Sequence, residues 1–154
     1  MSKPDHAGVR IPPPLCFFTF LAVGILANSA WVEGRLAANY LTISGALIAA
    51  ASFVYLVLAA QKHRSAGSNV EPWKPTTTII SDGAYKYSRN PIYLAMAVFY
   101  VGAAIAAGSW LALLLLPACL YIIRHYVIAR EEAYLEDKFG SEYLDYKKKV
   151  RRWI

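Results

Sequence analysis

Two short stretches concentrate the side chains able to do chemistry. The first is GAYKYSRNPIY, residues 83–93, which gathers Tyr85, Tyr87, Tyr93, Lys86, Arg89, Asn90 and Pro91 directly before a long apolar run. Asparagine is a favoured N-cap, and proline suits the first helical position because its missing N–H would find no partner there. Residues 88–92 therefore read as a helix start. Its free N–H groups and partial positive charge suit an anionic ligand group. Read locally, the same residues also describe a capped helix with interfacial tyrosines and a snorkelling Arg89. The second stretch is Arg130-Glu131-Glu132. Adjacent helical residues point about 100° apart, so at most one of these glutamates faces a given site squarely. Alone, the pair equally fits a solvated helix face. Brought together, a helix start, aromatic rings and carboxylates match a zwitterionic or cationic ligand.

The elements that position them are apolar. Residues 15–32 and 41–60 contain no Asp, Glu, Lys or Arg, and each is about the length that crosses a bilayer. Residues 92–123 are also uncharged but too long for one span, and Ala107-Gly108-Ser109 interrupts them. The expectation is an all-α polytopic membrane protein of four transmembrane helices. Helices three and four form a hairpin, accompanied by a cytoplasmic loop over residues 61–81 before helix three and by a C-terminal interfacial helix. The hairpin would bring Asn90-Pro91 and Glu131-Glu132 to one side, with the polar loop as a cover.

Composition and charge agree with that class. Of 154 residues, 57% are hydrophobic and 17% charged, poor in charge for a soluble domain and of a length for one domain. Lys3 and Arg10 before the first apolar run raise the possibility of a signal peptide, but Asn28 at the −3 position of the candidate cleavage site fits poorly. Of 16 Lys and Arg residues, two precede helix one, five lie in residues 61–91, eight lie from 124 onward, and only Arg35 falls on the other side. The positive-inside rule then makes both termini cytoplasmic. The net charge of +6 reads as attraction to anionic headgroups. No nucleic-acid module is recognisable. Cys16 and Cys119 read as buried thiols without disulfide or metal spacing, and His6, His63 and His125 are too scattered for a metal site.

Finer features follow from local chemistry. The run Pro12-Pro13-Pro14 is a stiff lead-in, and Glu33-Gly34-Arg35 is a short outer connection. Gly45, Ala46, Ala49, Ala50 and Ser52 permit close helix contact. Residues 76–80 are β-branched and read as extended. The helix should continue through 124–139 beyond the membrane, stop at Gly140 and restart with Ser141 as N-cap. Tyr143, Tyr146 and Val150 share a face of the last helix, which should rest on the membrane surface.

The order Gly83-Ala84-Tyr85, Arg89-Asn90-Pro91-Ile92-Tyr93, Glu131-Glu132 and Phe139-Gly140-Ser141-Glu142-Tyr143-Leu144-Asp145-Tyr146-Lys147 resembles the isoprenylcysteine carboxyl methyltransferase family. That wider group includes the phospholipid N-methyltransferases. The likeness covers roughly residues 76–154, which it marks as the cofactor-binding part beside a two-helix part over residues 1–60. It implies an integral-membrane enzyme using S-adenosylmethionine. The cofactor-holding positions that it implies are Thr78, Ile79, Ile80, Tyr85, Asn90, Pro91, Ile92, Tyr93 and Glu131 or Glu132. Where the family has histidine before the proline, this chain has Asn90, which hydrogen-bonds but does not titrate near neutral pH. Arg130 or Arg124 could orient an anionic substrate through bidentate contacts. The implied partners are the bilayer and an amphiphilic or lipidated acceptor bearing a carboxylate, amine or thiol. Two alternatives stay open: a sterol-reductase-like nicotinamide-binding enzyme, and a non-enzymatic four-helix membrane protein.

Overall fold

A computed structural model of the chain describes residues 5–32 and 39–154, with helices and no strand among them. Helix α1, Pro13–Trp31, starts inside the proline run. Pro13 and Pro14 take its first positions, where a missing N–H breaks no bond. The connection Glu33-Gly34-Arg35 lies outside the described residues. Helix α2, Asn39–Ser65, runs five residues beyond the expected end at 60. Its last turn carries Lys62, His63 and Arg64, cations that favour a helix C-terminus. A stretch that looked like the onset of the polar loop is therefore helical.

Residues 66–82 form an irregular loop tied by Asn69 Nδ2 to Pro75 O (2.8 Å) and Thr77 Oγ1 to Gly67 O (2.8 Å). No strand forms over residues 76–80. A 3₁₀ turn, Gly83–Lys86, leads to α3, Pro91–Ala106. Then follow α4, Trp110–Ile122, a π turn over Ile123–Ile128, α5, Ala129–Phe139, and α6, Ser141–Lys149. The π turn had no counterpart in the sequence reading.

Among the described residues, three helical stretches are long and apolar enough to cross a membrane: Pro13–Trp31, Asn39–Ser65 and Trp110–Phe139. The 16 residues of α3 span about 24 Å, short of a hydrocarbon core of roughly 30 Å. The 30 residues of Trp110–Phe139 span about 45 Å. Its final third, which holds Glu131 and Glu132, therefore stands beyond the membrane-spanning part. Leu26, Leu47 and Leu114 are each about two-thirds exposed or more, a surface suited to lipid.

Close backbone approach decides the packing. α2 lies on α3, where a Cβ on Gly45 would come 2.5 Å from Ala106 N and one on Gly102 would come 2.6 Å from Ala49 N. α1 lies on α4, where Gly24 backs onto Ala112. The turn between α3 and α4 uses Gly108 at φ +66°. Ser109 caps α4 by accepting the Ala112 N–H and donates to Gly24 O. Asn28 Oδ1 accepts from Leu111 N, and Tyr100 Oη donates to Ala112 O at 2.8 Å. Cys16 and Cys119 are buried free thiols whose sulfurs lie 3.9 Å apart.

Two expected caps are corrected. Asn90 holds the N-cap position of α3, but its side chain makes no cap bond. Instead its Nδ2 donates to Arg152 O at 2.9 Å, a tertiary acceptor outcompeting the local one. Gly140, at φ +54°, takes the cap position of α6 in place of Ser141. The face of α6 expected on a membrane surface is turned onto the protein: Tyr143 and Val150 are buried, and Tyr146 Oη donates to Tyr85 O at 2.8 Å.

Candidate functional site

The start of α3, the head of α5, the polar loop and α6 meet around a cavity of about 210 Å³. Tyr93, in the first turn of α3, donates its hydroxyl to Glu131 Oε1 at 2.6 Å. Burial pushes the Glu131 carboxyl up to about 7, helped by the neighbouring charge of Glu132 and opposed by the Tyr93 hydrogen bond. One turn position away, Glu132 faces different company. Its side chain, 7% exposed, accepts from Arg89 Nη2 at 2.7 Å and from Arg152 Nη2 and Nε at 2.6 and 3.0 Å. Burial disfavours its charged form, but the hydrogen bonds from Arg152 and Arg89 outweigh that and hold the carboxyl below its usual range.

Arg89 is a hub. Its Nη1 donates to Val150 O (2.6 Å) and Lys147 O (3.2 Å), and its backbone N–H donates to Arg151 O. Together with the Asn90 bond to Arg152 O, these contacts sew the start of α3 to the segment after α6. The wall of the cavity is aromatic, from Tyr85, Tyr93, Tyr134, Tyr143 and Tyr146. Burial raises the hydroxyl pKa of both Tyr85 and Tyr143, so these rings stay neutral.

Of the residues expected at a cofactor site, Thr78, Ile79, Ile80 and Tyr85 line the cavity, as do Asn90, Ile92, Tyr93, Glu131 and Glu132. Pro91 is buried as the first residue of α3 and stands outside the lining. The two candidate substrate arginines also stand outside it. Arg130 is exposed, donating to Gly8 O at 3.0 Å and stacking over the Tyr126 ring at 4.2 Å. Arg124 is exposed on the π turn. The arginine that lines the cavity is Arg89, and Arg152 stands behind it, bound to Glu132.

Several cavity residues carried no warning in the sequence. His63 enters from the extended end of α2, and Ser68 from the loop. Ala7, Pro13 and Pro14 form a wall from the N-terminal segment. That segment is held by Asp5, whose Oδ1 accepts from Tyr134 Oη (2.8 Å) and Lys138 Nζ (2.6 Å). Tyr143 and Tyr146 were visible as a shared face, with its direction misread. Among the described residues no cluster of three or more His, Cys, Asp or Glu is arranged to hold a metal.

A family model described as phospholipid methyltransferase matches residues 40–142. The chain belongs to the phospholipid methyltransferase family. The family region takes in α2 through the first residues of α6, with every cavity-lining residue from His63 to Leu135, and leaves Arg152 outside. An uncharacterized protein of Haemophilus influenzae is 43% identical over 63 residues, 41% of this chain and the whole of that protein. A protein-S-isoprenylcysteine O-methyltransferase of Schizosaccharomyces pombe is 35% identical over 72 residues, 47% of this chain and 30% of that protein. No solved structure matches the chain.

Proposed function

We propose that this member of the phospholipid methyltransferase family moves a methyl group from S-adenosylmethionine to an amphiphilic or lipid-soluble acceptor. The acceptor bears a carboxylate, an amine or a thiol and is met at the cytoplasmic membrane face. The chain works as a single integral-membrane domain of four spans, with α3 and α4 as a hairpin and both termini cytoplasmic. The short turn at Gly108 and the scarcity of cations between α1 and α2 support that topology. Residues 1–60 supply the two-helix part, and residues 76–154 the cofactor-binding part.

The observation that carries the reading is Glu131, held by Tyr93 inside a cavity walled by tyrosines. A carboxylate with aromatic faces suits a cation, by charge and by cation–π contact. Two buried polar atoms without a partner among the described residues, Ser68 Oγ and Arg89 Nε, leave room for a ligand with both acceptors and donors. Glu131, Tyr85, Tyr93 and Asn90 would hold S-adenosylmethionine, and Arg89 Nε would meet its anionic end. When bound, the cofactor supplies a methyl group on a positive sulfur, set for in-line displacement. The protein's part is positioning and exclusion of water. Glu131 gives the counter-charge, Tyr93 fixes its rotamer, and the Glu132–Arg89–Arg152 cluster fixes α3 against α5.

Calorimetric titration with S-adenosylhomocysteine and with NADPH tests the reading. Binding of the former alone is expected. A folded sample that binds neither, or NADPH alone, overturns it. Losing one charge-assisted contact weakens S-adenosylmethionine about tenfold to a hundredfold in Glu131→Gln. A labelled-methyl screen over lipids and thiols identifies the acceptor.

A further inference from the structure

His63 is tied into the cavity by two contacts that fix the tautomer of its neutral ring. Its Nδ1 lies 3.0 Å from Ala59 O, and a carbonyl only accepts, so Nδ1 carries the hydrogen. In a neutral ring Nε2 is then a bare lone pair. That nitrogen lies 3.1 Å from Tyr85 Oη, so the hydroxyl donates to it. The two rings meet edge to face, with centroids 5.5 Å apart. His63 is 9% exposed, and both residues line the cavity. A base nitrogen thus lies one hydroxyl away from the ligand space.

A second observation comes from the loop. Ser68, 5% exposed, donates its backbone N–H to His63 O at 2.9 Å, which holds it beside the pair. The residue lines the same cavity, and its Oγ is buried with no partner among the described residues. A buried hydroxyl left unpaired costs about 1–3 kcal/mol, so a polar group of a ligand is its natural partner. The other ionisable groups set around the pair are Tyr55 and Lys62 of α2, Tyr93 of α3, Glu131 of α5 and Tyr146 of α6.

Resting on the methyl-transfer reading, we propose that His63, acting through Tyr85, takes up the proton that an amine or thiol acceptor loses on methylation, while Ser68 Oγ bonds that acceptor's polar group. The nitrogen or sulfur proton of the acceptor passes to Tyr85 Oη as the phenolic proton of Tyr85 moves to His63 Nε2. Tyr85 ends neutral with a new proton. His63 ends as an imidazolium whose Nδ1–H remains on Ala59 O. The acceptor leaves with one proton fewer, so charge balances. A carboxylate acceptor has no such proton, and the pair is idle toward it. This makes His63 a residue that distinguishes acceptor classes without touching them.

The test uses the full chain in lipid nanodiscs, as wild type, His63→Gln and Tyr85→Phe. Three acceptor probes are compared: phosphatidylethanolamine vesicles, dodecanethiol and an S-farnesylated cysteine carboxylate. His63→Gln is expected to bind S-adenosylhomocysteine within about threefold of wild type. General-base assistance is worth about a hundredfold or more, so its turnover loss on amine or thiol should exceed that on the carboxylate at least tenfold. Nitrogen NMR of labelled histidine should show Nδ1–H in the neutral wild-type ring, with the Nε2 signal moved in Tyr85→Phe. An Nε2–H tautomer, equal losses on all three probes, or wild-type turnover of the carboxylate alone overturns the proposal. Failure of the wild type to bind S-adenosylhomocysteine instead overturns the methyl-transfer reading beneath it.

Discussion

Replacing Glu132 by glutamine tests how the site is held together. The carboxylate is 7% exposed, and the Arg89 guanidinium that it meets is 8% exposed. The change leaves Arg89 buried, still donating to Val150 O and Lys147 O, but without its counter-charge. Removing one partner of a buried ion pair costs about 3–5 kcal/mol. Arg152, 32% exposed, regains water when released, which places the cost near the lower end, about 3 kcal/mol. For a chain of this size each kcal/mol moves Tm by about 2–4 °C, so a loss of about 6–12 °C is expected. Arg152→Ala removes the two-pronged contact at the wetter rim while Arg89 still neutralises Glu132, for about 1–2 kcal/mol. Because both variants remove the same interaction, the double variant should lose less than the sum. Thermal unfolding in detergent, followed by circular dichroism, reads all three. If Glu132→Gln melts within about 2 °C of wild type, or if the losses add fully, the cluster does not carry the weight assigned to it here.

Three further outcomes are expected. The Glu131 carboxyl is raised from 4.5 to about 7, so its stabilising proton is fully bound below pH 4.5 and lost as pH rises through 7. Stability should therefore fall by up to about 3 kcal/mol across that window, and melting curves of Glu131→Gln should lack the fall. Gly102→Val would set a Cβ 2.6 Å from Ala49 N and 2.8 Å from Gly45 O, forcing α2 from α3. Melting should drop by an amount typical of overpacking, about 1–3 kcal/mol, and an unchanged Tm would show that these helices do not touch there. With sulfurs 3.9 Å apart, copper phenanthroline should join Cys16 to Cys119 within one molecule. Intact mass should fall by two hydrogens, and Cys119→Ser should prevent it.

Much of this arrangement could be read from spacing alone. Uncharged runs located α1, α2 and the pair α3–α4, because exclusion of ionised groups is a strong compositional signal. Residues 83–93 and 130–132 come together through Tyr93–Glu131 and Arg89–Glu132. What escaped was set by competition between local and tertiary partners. Asn90 has the preference of a cap, yet the carbonyl of Arg152, 62 residues later, takes its amide. Lys62-His63-Arg64 looked like a loop because charge usually marks one, whereas these residues finish a helix whose carbonyl end favours cations. The π turn at Ile123–Ile128 has no local signature, since its extra residue is accommodated by packing. Arg152 sits in a run of cations in which nothing marks it apart from Arg151.

The bonds from Arg89, Asn90 and Glu132 to residues 147–152 also bear on how the protein is made. A ribosome delivers the chain from its N-terminal end at about 5–20 residues per second, so α1, α2 and α3 are made several seconds before residue 152. Until that segment emerges, Arg89 and Glu132 lack Arg152 and three of the carbonyl acceptors, and one wall of the cavity is missing. If the cavity binds ligand as proposed, competence is thus withheld until residues 141–152 are in place. On the proposed reading, stalled chains ending before α6 should insert into membranes yet fail to retain a labelled ligand, which makes ligand capture a reporter of the arrival of residues 141–152.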